Sequence, residues 1–134
     1  MMVIMDNSIL ILKYIRSILS ENEELMNLID DDSIFSLIAH ADAKLPYIVM
    51  SRNSIQTQYT KDRAFDNTVQ FTVNVVAHSY IESIEIANAV RHALENFHWK
   101  NAEIWIHPIS VLNISESTDG DQFVQSLLFM TMME

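Results

Sequence analysis

Residues 68–97 read TVQFTVNVVAHSYIESIEIANAVRHALENF, and this stretch decides the fold. Val69, Phe71, Val73, Val75 and Ala77 alternate with Thr68, Gln70, Thr72 and Asn74. That period of two marks a strand with one buried face. The chain then enters a helix through Ser79-Tyr80-Ile81-Glu82, a capping box in which Ser79 and Glu82 satisfy orphan amides reciprocally. Ile84, Ile86, Ala87, Val90, Ala93, Leu94 and Phe97 share one broad helix face, with Glu85, Asn88, His92, Glu95 and Asn96 on the other. An apolar strand face and an apolar helix stripe must be buried, and covering one with the other makes a layer of helix on sheet.

Toward the N-terminus, Asp6 or Asn7 is placed to cap a first helix running to about Leu19. Its apolar side holds Ile11, Leu12, Tyr14, Ile15, Ile18 and Leu19, while Lys13, Arg16 and Ser20 face away. Ser20-Glu21-Asn22-Glu23 is a second capping box, opening a short helix through Ile29. Asp30-Asp31-Asp32 should end it, because carboxylates oppose the dipole at a helix C-terminus. Ile34 to Ile38 fits a short strand, His40 to Lys44 a loop, and Pro46 opens a strand over Tyr47 to Ser51. Residues Asn53 to Asn67 are polar, mixed in charge and without period, and read as a long exposed connection.

Toward the C-terminus, His98 to Asn101 turns the chain. Ile104 to Ile114 is a strand in which Pro108 forces an edge position or a bulge. Gly120 is free to take positive φ in the next connection. The last strand, Gln122 to Met132, is apolar on both faces at Leu127, Leu128, Phe129 and Met130. The expected architecture is α+β: a largely antiparallel four-stranded sheet with two N-terminal helices and one long helix packed on it, in the order ααββαββ. Its 134 residues suit one domain over 1–134.

Chemistry is conspicuous by what is missing. There is no cysteine, so disulfides, thiol nucleophiles and cysteine-type zinc sites are excluded. The single glycine, Gly120, excludes a phosphate-cradling loop. His40, His78, His98 and His107 are scattered, with no metal-ligand spacing among them. Asp30-Asp31-Asp32 lacks the glycine and terminal glutamate of a calcium loop. Glu82 serves as a cap, Glu85 and Glu95 lie on a solvated helix face, and no serine stands in a nucleophile elbow. The expectation is a protein that is not an enzyme and needs neither metal nor cofactor. Eight lysines and arginines against 18 aspartates and glutamates give a net charge of -10. Such a chain is repelled by the phosphate backbone and should not bind duplex DNA. The N-terminus lacks the basic region of a secretory signal, and the apolar run Ile9 to Leu19, broken by Lys13 and Arg16, is too short to span a bilayer. Methionines such as Met130, Met132 and Met133 suit adaptable core filling and also pliable interfaces.

The order of features resembles a known family. Two short helices are followed by Ile34-Phe35, a loop, Leu45-Pro46-Tyr47-Ile48-Val49, a polar stretch and Val69-Gln70-Phe71-Thr72-Val73-Asn74-Val75. Then come a helix from near Tyr80 carrying Ala87, Val90, Arg91, Ala93 and Leu94, and a strand pair ending in Phe129 and Glu134. Over nearly its whole length the chain looks like the tail-completion, or tail-terminator, proteins of long-tailed bacteriophages and prophages. It departs from them at Asp30-Asp31-Asp32-Ser33, where such proteins often carry glycine or proline. The resemblance implies a virion structural protein assembled in the bacterial host cytoplasm. It implies a ring, typically of six subunits, at the head-proximal end of the tail tube. That ring stops tube polymerisation and meets the head connector protein; its acidic bore lets DNA pass without specific binding. With no period of its own, the Asn53–Asn67 connection is expected to contact a neighbouring subunit or the tail tube through Gln58, Lys61, Asp62 and Arg63. The alternative is a small cytoplasmic α+β module binding a ligand or a protein.

Overall fold

The computed structural model describes residues 8–59, 65–102 and 104–134, with the backbone alone at Phe65. Its α-helices are α1 (Ile11–Ser20), α2 (Glu23–Met26) and α3 (Tyr80–Leu94), with short 3-10 turns at Ser8–Leu10 and Asp31–Ser33; Asp6 and Asn7, the expected caps of the first helix, lie outside the described residues. Its strands are β1 (Ile34–Ser36), β2 (Tyr47–Tyr59), β3 (Phe65–Ala77), β4 (Trp99–Lys100), β5 (Trp105–Ile106), β6 (Ser110–Asp119) and β7 (Gln122–Met133). The α+β class and the largely antiparallel sheet are as expected. The strand count and the order ααββαββ are corrected: among the described residues the order is ααβββαββββ, and seven strands make one sheet, running β1-β2-β3-β7-β5-β4, with β6 also paired to β7. All neighbours are antiparallel except β1 with β2. The extra strands escape a sequence reading for a plain reason. β4 and β5 have two residues each, too few to show a period, and what was expected to be a turn at His98 to Asn101 holds β4. Pro108 divides the expected Ile104–Ile114 strand into β5 and β6, and β6 carries a register shift between Val111 and Asn113.

The capping residues set the helix limits. Glu82 N–H donates to Ser79 Oγ at 3.2 Å, and the Glu82 carboxylate reaches back to accept from His78 N–H at 3.2 Å. At the other end Asn96 takes φ of 66°, which asparagine tolerates better than most residues, and its N–H donates to Ile109 O. α2 is shorter than expected and starts later. Its cap is Asn22, whose side chain accepts from Leu25 N–H at 2.9 Å, while Ser20 donates instead to Asp31. α2 stops before the three aspartates, as the dipole argument requires. Arg16, expected to face away, lies over this turn. It donates to Ile34 O at 2.7 Å and sits 3.6 Å from the Asp31 carboxylate.

The core lies between the helices and one sheet face. Ile11, Ile15 and Leu19 from α1 and Ile86, Val90 and Leu94 from α3 cover Val69, Phe71, Val73 and Val75 of β3 and Leu127 and Phe129 of β7. Phe71 and Phe129 stack with ring centroids 5.3 Å apart. Two details depart from the expected helix face: Ser83 and Ala89 are buried, while Ile84 is exposed. Ser83 tolerates burial because its hydroxyl donates to Tyr80 O at 2.7 Å and accepts from Gln125 Nε2 at 3.3 Å. β7 is covered on one face only; Leu128 and Met130 on the other are half-buried and Met132 is exposed.

Candidate functional site

The features that distinguish this molecule are surfaces. Among the described residues no three histidine, aspartate or glutamate side chains gather as a metal site, and no helix is long and apolar enough to cross a membrane. A groove of 350 Å³ between α1 and the chain following α3 is lined by Tyr14, Ser17, Ile18, Glu21, Phe97, Trp99 and Ile106. It is mostly apolar, and the Ser17 hydroxyl is engaged by Lys13 O at 3.2 Å.

The first surface is the arm made by β2 and β3. The stretch from Asn53 to Asn67, expected to be a connection, is mostly strand: Ile55 pairs with Val69, Thr57 with Asn67 and Tyr59 with Phe65. Polarity hid it, because this edge stretch exposes most of its side chains and is held by its backbone ladder to β3. Thr57 Oγ1 also donates to Asn67 Oδ1 at 2.6 Å. Gln58 is exposed on this arm, opposite Asp66. Lys61, Asp62 and Arg63 lie outside the described residues, so of the four candidate contacts only Gln58 is placed.

The second surface is a pair of open edges. β1 covers β2 only at Ile48, Val49 and Met50, so from Ser51 outward β2 pairs with β3 alone among the described strands. On the opposite side β6 pairs only with β7 among the described strands, and nearly all of its side chains are exposed. Beside β6, on the helix side, lies a groove lined by Ile84, Ala87, Asn88, Arg91, Ile114, Gln125 and Leu127. Of its lining, Ile84 and Ile114 are exposed; Tyr80 and Ile81 at the start of α3 and Leu112 on β6 are exposed as well. The edge position or bulge expected of the strand around Pro108 is found in β6, which among the described residues is an edge strand and carries a bulge between Val111 and Asn113.

The third surface is the sheet face turned away from the helices. Register places Val49, Ser51, Thr68, Gln70, Thr72, Asn74, Val76, Val124, Ser126, Leu128, Met130 and Met132 on it. On the four long strands its only charges are Asp66 and Asp119, at opposite corners. In a chain of net charge -10 this face is almost neutral, a composition typical of the centre of a protein interface.

Three carboxylates have shifted acidities. Glu116 on β6 is held below its ordinary value of 4.5, first by a hydrogen bond from Gln125 (Nε2 to Oε2, 3.1 Å) and second by one from Tyr80. Glu134 is lowered chiefly by its bond with His107 (Nε2 to Oε2, 2.9 Å), whereas Asp66 is raised chiefly by its hydrogen bond with Glu134. A lowered acid gives stability that is present above its unfolded pKa and lost as pH falls through its folded one. Melting temperature should therefore decline as pH drops below 4.5, and Glu116→Gln should make the decline shallower. Asp66 acts in the opposite sense, its contribution present below 3.8 and lost as pH rises through its folded value. A melting series at stepped pH on both proteins checks this; identical profiles would remove Glu116 from the account.

Over residues 13–134 the chain matches the family described as tail completion protein gp17. Among solved structures, a chain from the virion of a native gene transfer agent particle superposes with a TM-score of 0.77 at 14% identity, covering 90% of this chain and 91% of that one. Another solved chain superposes with a TM-score of 0.59 at 12% identity, covering 92% of this chain and 95% of its own. No curated protein matches. At these identities the structural likeness is one of fold.

Proposed function

Since this chain belongs to the tail completion protein gp17 family, we propose that it is a structural part of a phage-type tail that closes into a ring at the head-proximal end of the tail tube. The family match carries the reading, and the shared fold with a chain of a gene transfer agent virion supports it. The ring, of six copies, ends tube growth and presents a surface to the head connector protein. A closed ring needs a heterologous interface whose rotation closes. The chain acts in assembly without catalysis, metal or cofactor, in the cytoplasm of the bacterial host. DNA passes the bore without specific binding, because net charge of -10 disfavours contact with phosphates. Titration with duplex DNA at physiological salt should show no complex at micromolar protein; a complex that weakens steeply with added salt would contradict this.

The Asn53–Asn67 stretch is the proposed contact with a neighbouring subunit or the tail tube protein, through Gln58, Lys61, Asp62 and Arg63. Lys61 and Arg63 are positive residues in an acidic chain, suited to pairing with a partner's carboxylates and setting register. The double variant Lys61→Glu, Arg63→Glu should melt like the parent yet fail to join tails. Normal tail completion by the variant would remove these contacts.

Native mass spectrometry of the purified chain, followed by electron microscopy, tests the reading as a whole. The expected result is a ring-sized species. A monomer at every concentration, alone and with tail tube protein, would overturn the ring and favour the small binding module.

A further inference from the structure

We infer that copies of this chain join edge to edge, the outer edge of β2 on one subunit adding to β6 of the next, so that the sheet runs continuously around the ring. The inference rests on the ring reading above.

The two edges are open at opposite sides of one sheet: β2 beyond Met50, and β6 along Ser110–Asp119, have no further strand beside them among the described residues. An exposed strand edge presents unpaired amides and carbonyls and is a template for another strand unless blunted. Proline and lysine, the common blunting residues, are absent from β2 beyond Met50 and from β6. Each edge has one bulge, between Arg52 and Ser54 and between Val111 and Asn113, and runs regularly beyond it.

Strand direction fits. β2, β3, β7 and β6 alternate, so in a head-to-tail repeat the β6 of one copy meets an oppositely directed β2 of the next, and the pairing is antiparallel like its neighbours. The free stretches are offset along the strands. Ser54 lies level with Ser110 through the pairs Ser54–Gln70, Gln70–Met130 and Met130–Ser110, and β2 runs on from there while β6 runs the other way. Joining staggered edges tilts the strands against the ring axis, and such a stagger is what a closed sheet requires.

Side chains fit as well. Residues 51–59 of β2 carry Arg52 and no carboxylate, whereas β6 carries Glu116 and Asp119 and no cation. The two edges therefore carry charges of opposite sign and do not repel each other. On the helix side the β2 edge carries Ile55, packed against its own core, and Tyr59, so an apolar strand face meets the groove walled by Ile84 and floored by Ile114 and Leu127. An added strand whose alternate side chains fill a flanking pocket is an established mode of strand recognition.

The absence of native cysteine makes a clean test. Single cysteines go at the exposed outer-face positions Gln56 and Gln58 on β2, and Asn113, Ser115 and Ser117 on β6. Facing residues on paired strands lie at about 4.5–5.5 Å, within disulfide reach. Mixed and mildly oxidised in pairs, at least one β2 variant with one β6 variant should give a disulfide dimer, while each variant alone stays uncrosslinked. The matching double variant should give a ladder on a non-reducing gel ending at the ring. β6 variants that dimerise alone would show a two-fold contact and overturn the inference. Ring-sized particles with no crosslink in any pair would overturn it and leave the ring standing. Monomers throughout, with no ring, would overturn both.

Discussion

Phe71→Ala should destabilise the chain by about 3–5 kcal/mol, the range for deleting a buried aromatic and leaving part of its cavity. Phe71 is fully buried at the middle of β3, stacked on Phe129 of β7 and beneath the helices. Both rings belong to the pair of strands on which the sheet is built, so the cavity opens where backbone elements are held on both sides and collapse is restricted. For a chain of this size the loss corresponds to a drop of roughly 10–20 °C in melting temperature. Equilibrium urea unfolding measures it directly. A change below 1 kcal/mol would mean that the stacked pair is not the centre of the core.

Leu94→Ala should cost about 2–5 kcal/mol by the same mechanism. Leu94 closes the last turn of α3 and is fully buried, while Glu95, the next residue, is half-exposed. Glu95 pairs with Arg91 at 3.1 Å on the surface, an i,i+4 contact worth about 0.3–0.5 kcal/mol. Glu95→Ala should therefore barely move the unfolding midpoint. The contrast between adjacent residues is the sharper measurement, because it fixes the rotation of α3 on the sheet. Equal midpoints for the two variants would mean the helix presents a different face.

The two classes of prediction address different properties. Core substitutions report the body, which the α3-on-sheet layer holds together. Arm and edge substitutions report assembly, and they should leave the body alone because Gln56, Gln58, Ser115 and Ser117 are exposed. A variant that melts normally and fails to assemble separates the roles.

By itself the sequence determined the elements whose hydrophobic period is long enough to register. β3 and α3 follow from thirty residues of alternation, cap and amphipathic stripe, and Ser79 and Glu82 bond as their spacing requires, with Glu82 reaching one residue further to His78. Gly120 takes φ of 59°, and Pro108 breaks a strand, because backbone restrictions are local. Family membership was legible for the same reason: it rests on the order of apolar patterns. Tertiary structure alone decided the rest. The polar arm from Ser54 to Tyr59 is a strand because β3 lies beside it, not because of any period of its own. The two-residue strands β4 and β5 exist only through pairing partners distant in sequence for β7. Pro108 marked the strand around it for an edge or a bulge, but which strand β6 pairs with was left to the tertiary structure, because ladder hydrogen bonds are nearly indifferent to side-chain identity.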